Sequence, residues 1–168
     1  MRGEAFVLRD KGFTLVEIAV TLAIFAIVLS IAIPSVGAFI ASSRAAAGAN
    51  DLMVAVRAAR SEAIARGQTV NLCAASVADG TACATSSPNW ANGWLITQSD
   101  GTLIKSWGHI SGLTLSGTLS STASISFSGA TGTVGSAKTL TLCTPASNGT
   151  TVSISANGRS VTYVASSC

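Results

Sequence analysis

Apolar residues dominate the first third of the chain in one long run. From Ile18 through Ser43 no residue is charged, and this run exceeds the roughly 20 residues that a helix needs to cross a hydrocarbon core. The pattern therefore predicts a transmembrane helix over residues 13–43. A single acid, Glu17, lies close to the start of this helix.

The apolar positions become periodic after this run. Six of them share the 3.6-residue period of one helix face: Ala45, Ala49, Leu52, Val56, Ala59 and Ala63. Four arginines fall outside this stripe and are interpreted as a solvated face: Arg44, Arg57, Arg60 and Arg66. Glu62 and Arg66 have the favourable i,i+4 order. We expect an amphipathic helix over 44–67 that carries a globular head and ends at Gly67.

The head, residues 68–168, is rich in Ser, Thr, Gly and Val, which is typical of short strands and turns. Asp100-Gly101 and Asn157-Gly158 each separate two alternating segments and predict hairpins with type I′ turns. Apolar residues at 70–72, 125–127 and 140–142 predict further strands. The predicted fold class is α+β: a long N-terminal helix, with a transmembrane half and an amphipathic half, packed on a small antiparallel β-sheet head.

Composition and charge support a membrane location. Only 10% of the residues are charged and the mean hydropathy is +0.54, which is unusual for a freely soluble protein. Arg2, Arg9 and Lys11 precede the apolar run, and the positive-inside tendency leaves this leader in the cytoplasm with the head outside. A cleaved secretory signal peptide is the alternative. The apolar region of such signals spans only about 7 to 15 residues, however, and an ordinary signal does not require a carboxylate within it.

The four cysteines all lie in the β-rich region: Cys73, Cys83, Cys143 and Cys168. An exported head would lie in an oxidising compartment, where an even number of cysteines indicates two disulfides. Three pairings can be drawn, and Cys73–Cys83 with Cys143–Cys168 is favoured because each closes a local loop. A zinc site is less favoured, since there is no C-x-x-C pair and only one histidine, His109.

Glu17 needs a partner if it lies in lipid. A carboxylate inside a bilayer costs about 2.5 to 3.5 kcal/mol on insertion scales. If the chain were cut between Gly12 and Phe13, the new ammonium would lie four residues before Glu17, about one helical turn away. The ammonium of a neighbouring chain could serve equally well. Either pairing would offset the charge.

The segment KGFTLVE, followed by the apolar run, resembles the N-terminal signal of type IV pilins and type II secretion pseudopilins. The resemblance implies that a prepilin peptidase cuts after Gly12, removing residues 1–12 as a leader, and that Phe13 is N-methylated. It also implies that Glu17 helps to dock the subunit into a helical filament. The expected location is the bacterial inner membrane, with one span and a periplasmic head, and later a pilus or pseudopilus.

Further segments narrow the resemblance. RAARSEAIARGQTVNLC, NWANGW and the closing NGR hairpin with its terminal cysteine resemble the GspH/FimT group of minor pilins and pseudopilins, which includes FimU-like subunits. The implied function is a minor pilin that helps to prime or cap a type IV pilus. The alternative is a type II secretion pseudopilin, similar to protein H, that supports protein export. The implied partners are other pilins, the peptidase, an inner-membrane assembly platform and, before assembly, membrane lipid.

A third alternative is DNA capture in natural transformation. Some FimT-like minor pilins bind DNA through arginines in a G-R-x-R element, and Gly158, Arg159 and Ser160 match its beginning. Val161 replaces the second arginine, and the head beyond Gly67 has a net charge of only +1. Because phosphate contacts dominate non-specific affinity, the head alone is expected to bind DNA weakly, with Arg159 as the candidate contact.

The sequence predicts neither an enzyme nor a cofactor or metal site. Asp79 and Asp100 are the only acids beyond Glu62, and both adjoin glycine in predicted turns. Trp90 and Trp94 are interpreted as packing anchors rather than as recognition groups.

Overall fold

The computed structural model describes residues 12–86, 88–144 and 147–165. The chain divides into two units, with the boundary between Gly37 and Ala38. One helix, α1, runs over Leu15–Arg66. Within the described ranges, no helix combines the length and the apolarity needed to cross a membrane. The division into residues 1–12, 13–43, 44–67 and 68–168 stays a prediction, and most of the first segment lies outside the described residues.

The N-terminal unit is an exposed apolar helix over its described side chains. Every side chain from Gly12 to Ser30 is exposed, as are Val36 and Gly37. Phe13 is 78% exposed and Leu15 is 86% exposed. A continuous apolar surface of this kind marks a site of contact with lipid or with other chains.

The larger unit contains the amphipathic part of α1. All six residues of the predicted stripe are fully buried, so this prediction is confirmed, and Ala55 joins them. Most of these residues are alanines, and their small side chains allow the strands of the head to pack close to the helix. A Cβ atom added to Gly48 would lie only 2.9 Å from Cδ2 of Leu142.

Two four-stranded antiparallel sheets form the head in the described part of the chain. Their strands are β1 (Val70–Ala74), β2 (Trp94–Gln98), β3 (Leu103–Trp107), β4 (Thr114–Ser116), β5 (Ser124–Phe127), β6 (Lys138–Thr144), β7 (Ser147–Ile154) and β8 (Ser160–Val164). The first sheet has the order β3-β2-β1-β5 and the second has the order β4-β6-β7-β8. The predicted α+β fold with an antiparallel head is confirmed, whereas β4 was not predicted.

The core of the head joins the helix stripe to both sheets. Trp90 opens a 3-10 helix over Trp90–Asn92, and its Nε1–H donates to the carbonyl of Thr122 at 3.2 Å. Both Trp90 and Trp94 are buried, which confirms that they are packing anchors. Gly93 connects them with a φ of 100° and a ψ of −179°. Only glycine adopts this combination readily.

Both predicted hairpins form, but the predicted turn type is wrong. A type I′ turn requires positive φ at Asp100 and at Asn157, and neither residue has it. The positive φ falls instead on Gly101 (89°) and Gly158 (77°). Each hairpin therefore has a three-residue loop that ends in a left-handed glycine, the arrangement known as a G1 bulge.

Side-chain hydrogen bonds explain this choice of turn. Oδ1 of Asp100 accepts the N–H of Thr102 at 2.8 Å, and Oδ1 of Asn157 accepts the N–H of Arg159 at 3.1 Å. Such local Asx hydrogen bonds favour a turn in which the Asx residue keeps negative φ. The Thr102 N–H also holds the pKa of Asp100 below its ordinary value, because the bond stabilises the charged carboxylate.

A disulfide joins Cys73, in β1, to Cys83 in the loop that follows β1, with 5.6 Å between the Cα atoms. The bridge closes the insert between β1 and β2, as the local pairing predicted. No cysteine is free among the described residues. Cys168, the predicted partner of Cys143, lies outside them, so that second pairing stays a prediction.

Candidate functional site

The residues expected to be processed lie directly before α1. Gly12, Phe13 and Thr14 are exposed and not helical, and α1 begins at Leu15. Oγ1 of Thr14 accepts the N–H of Glu17 at 3.2 Å, which caps the helix. The Gly12–Phe13 bond therefore lies in open, non-helical backbone one residue before the cap.

Glu17 also fits a local sequence pattern at the start of α1. Thr14-x-x-Glu17 is the capping-box pattern, and this signal was present in the sequence. A carboxylate in the first helical turn also interacts favourably with the positive end of the helix dipole. In a chain that began at Phe13, the new ammonium would lie at this same positive end, so Glu17 would counter both charges.

Two neighbouring arginines of α1 and a third arginine that is distant in sequence line the same part of the head. Arg57 and Arg60 lie on α1, and Arg159 follows the turn between β7 and β8. They border a groove of about 420 Å³, which we name the arginine groove. Its lining residues are Arg57, Arg60, Ser61, Ile64, Gly158, Arg159 and Ser160. None of them is acidic, so the groove is strongly cationic.

Arg60 is held at this groove by two glycine turns. A Cβ atom on Gly158 would lie 3.3 Å from Cδ of Arg60, and one on Gly132 would lie 2.9 Å from its Cγ. The aliphatic stem of Arg60 is therefore partly covered, and its Nε is buried without a hydrogen-bond partner among the residues that the structure describes. Within the same described ranges, the buried Oγ of Ser160 also lacks a hydrogen-bond partner. Unpaired buried polar atoms are rare in folded proteins, and two of them line one groove.

The predicted ion pair between Glu62 and Arg66 forms on α1. Nε of Arg66 donates to Oε2 of Glu62 at 2.7 Å, which confirms the i,i+4 pair. Arg57 and Arg60 lie about one hundred residues before Arg159 in the sequence. No local pattern could have shown that these arginines meet, because their contact depends on how the second sheet packs against α1.

His109 and Asp79 form a structural link between two loops. Oδ1 of Asp79 accepts the backbone N–H of His109 at 2.7 Å, and Nδ1 of His109 lies 2.7 Å from the carbonyl oxygen of Ala91. Asp79 has a φ of 55°, so it does lie in a tight turn. Over the described ranges, no three His, Cys, Asp or Glu side chains are grouped so that they could hold a metal ion.

Comparison with known proteins identifies two segments of the chain. Residues 48–158 match the family described as type II transport protein GspH, and residues 8–33 match the prokaryotic N-terminal methylation motif. No curated protein matches the chain.

Two crystal forms of the type IV minor pilin FimU from Pseudomonas aeruginosa have a similar fold. The first is 20% identical with a TM-score of 0.56, and the match covers 73% of this chain and 92% of that one. The second is 21% identical with a TM-score of 0.55, covering 73% of this chain and 98% of that one. Since the match to the GspH model extends over more than half of the sequence, this chain belongs to the GspH family of pilins and pseudopilins.

Proposed function

We propose that this protein is a minor pilin that helps to prime or cap a type IV pilus. The observation that carries the proposal is the N-terminal unit, an apolar helix whose described side chains are all exposed and which has a single carboxylate in its first turn. Such a surface has to be covered by lipid or by the helices of other subunits. The methylation motif and the family both support assembly with other pilins.

The proposal also gives each part of the chain a location. Residues 13–43 would hold the subunit in the bacterial inner membrane before assembly, with the amphipathic helix and the head on the periplasmic side. An assembly platform would then transfer the subunit from lipid into the filament. The disulfide between Cys73 and Cys83 supports an oxidising location for the head.

Processing of the N-terminus gives a direct prediction. Intact-mass analysis of the protein from its native membrane should show a chain that begins at Phe13 and carries one added methyl group. The open backbone at Gly12 and Phe13 is consistent with cleavage there. Gly12→Val should keep the leader, because a branched side chain at this position is expected to block the peptidase. An uncut wild-type chain, or one that starts beyond Pro34, would contradict the proposal.

A type II secretion pseudopilin is the second candidate function. The description of the matching family refers to type II transport, whereas the solved relatives with this fold are described as type IV minor pilins. We favour the pilus because the IPSVGAF continuation and the cysteine-bearing head, two features of the sequence, point toward a minor pilin.

Deletion of the gene separates these two functions. In the native bacterium, the deletion should strongly reduce surface pili and twitching but leave the export of folded periplasmic proteins unchanged, and the wild-type gene should restore the pili. Pili are counted by electron microscopy, and export is followed by immunoblots of the culture medium. Normal pili together with lost export would favour the pseudopilin instead.

DNA capture, the third function suggested by the sequence, stays a prediction. The arginine groove adds Arg57 and Arg60 to Arg159, so the cationic surface is larger than the sequence indicated. The groove is short and concave, however, whereas a DNA backbone needs an extended row of cations. Competition between a DNA oligonucleotide and a peptide ligand for this groove would test DNA capture.

A further inference from the structure

The outer edge of β8 lacks the structural features that usually prevent an edge strand from pairing with another chain. Edge strands are commonly very short, bulged or charged, which prevents pairing with other chains. β4 has three residues, and β3 carries Lys105, whose Nζ lies 4.8 Å from the ring centre of Trp107. β8 has five residues, no charge and an unbroken register with β7.

The hydrogen bonds to β7 show which backbone groups of β8 are free to pair outward. The N–H of Ser155 donates to the carbonyl of Arg159, and the N–H of Ala165 donates to that of Gly149. Antiparallel pairs alternate, so the residues whose N–H and C=O groups face away from β7 are Ser160, Thr162 and Val164. These groups pair with no strand in the described part of the chain.

The side chains of β8 are also uncovered on both faces. Val161 is 54% exposed, Tyr163 is 51% exposed and Val164 is 73% exposed. Because successive side chains of a strand alternate between faces, Val164 lies on the face opposite to Val161 and Tyr163. An added strand would cover apolar surface on both sides of the sheet.

The free edge of β8 meets the arginine groove at Ser160. This residue is the first of β8, its backbone groups face outward, and it belongs to the lining of the groove. A peptide paired with Ser160 would therefore pass the guanidinium groups of Arg159 and Arg60. The exposed guanidinium group of Arg159 could donate hydrogen bonds to a carboxylate placed there, whereas Nε of Arg60 and Oγ of Ser160 are buried beneath the groove surface.

The geometry points to a binding site for an extended acidic peptide segment of a partner subunit. The segment adds a strand to the outer edge of β8 and places one carboxylate in the arginine groove. Main-chain hydrogen bonds to a sheet edge require a peptide, and a nucleic acid has no matching backbone. The identification of the partner as a neighbouring pilin rests on the proposed function, whereas the peptide chemistry does not.

The test uses the full-length chain in detergent and two labelled hexapeptides of alternating threonine and valine. One peptide has glutamate at its third position and the other has glutamine there. Fluorescence anisotropy should show that the glutamate peptide binds at least about tenfold more tightly, as expected for hydrogen bonds to a charged group. A labelled 12-nucleotide DNA, single-stranded or duplex, serves as the competing ligand.

Two variants, each with a matched control, separate the contribution of the charge from that of the strand edge. Arg159→Gln should reduce the preference for the glutamate peptide over the glutamine peptide to less than about threefold. Lys105→Gln is its control: it removes one positive charge from the other sheet and should leave this preference unchanged. Thr162→Pro removes one outward N–H without breaking a bond to β7, so it should weaken both peptides about equally. Thr162→Val is its control and should bind both peptides as the wild type does.

Three outcomes would overturn the inference: equal affinity for the two peptides, binding of neither, or DNA binding that is tighter than peptide binding and is lost in Arg159→Gln. The last outcome would favour DNA capture. Because the assay needs no filament, its failure leaves the pilus proposal intact. Loss of pili in the deletion strain tests that proposal separately.

Discussion

Glu17→Ala is expected to lower the amount of the protein incorporated into filaments by about tenfold or more, without unfolding the head. Cleavage before Phe13 would place an ammonium beside Thr14, at the positive end of α1. Glu17 is the acid of the first turn, so its loss would leave that ammonium and the helix dipole without a counter-charge in an apolar environment. Quantitative immunoblots of sheared filaments would measure the incorporation.

Two matched variants separate charge from capping. Glu17→Gln keeps a side chain that can complete the capping box but removes the charge, and we expect it to fail as Glu17→Ala does. Glu62→Ala removes a carboxylate from the exposed pair with Arg66 and should assemble normally. Normal incorporation of Glu17→Gln would show that Glu17 acts as a cap and would refute the pairing with an ammonium.

Gly93→Ala is expected to reduce the free energy of unfolding by about 3 kcal/mol or more. The backbone at Gly93 has a conformation that strains every other residue, and a Cβ atom there would collide with the carbonyl oxygen of Trp107. It would also lie 2.9 Å from the carbonyl carbon of Gly108. Denaturant titration, followed by tryptophan fluorescence of the full-length chain, would measure the loss because Trp90 and Trp94 are buried on either side.

Gly135→Ala is the matched control for this substitution. A Cβ atom on Gly135 would meet nothing within 4 Å, and its φ lies outside the left-handed region. We expect its unfolding midpoint to stay within experimental error of the wild type. If Gly93→Ala were as stable as Gly135→Ala, the glycine of the NWANGW segment would not be required by the fold.

The part of the fold that depends on local periodicity was predicted well from the sequence. The helix stripe from Ala45 to Ala63 repeats with one period, and every predicted member is buried. The two Asx-Gly pairs located both hairpins, but they did not reveal the turn type. That choice depends on the hydrogen bonds from the Asp100 and Asn157 side chains to the backbone two residues later.

Non-local features could not be predicted in the same way. β1 pairs with β5 across a long stretch of intervening chain, and β4 is too short to show alternation. The arginine groove depends on the packing of the β7–β8 turn against Arg60, which no short segment encodes. The helix cap at Thr14 differs, because the T-x-x-E pattern that signals it is local and could be read from the sequence.

The row of small buried residues on α1 has a mechanical consequence. Ala45, Ala49, Ala59 and Ala63 lie along one line of the helix and all contact the core of the head. Tension along the helix axis would therefore load these contacts simultaneously, in shear, instead of peeling them apart one at a time. A head attached in this way can resist pulling forces that would detach one held by a single strong contact.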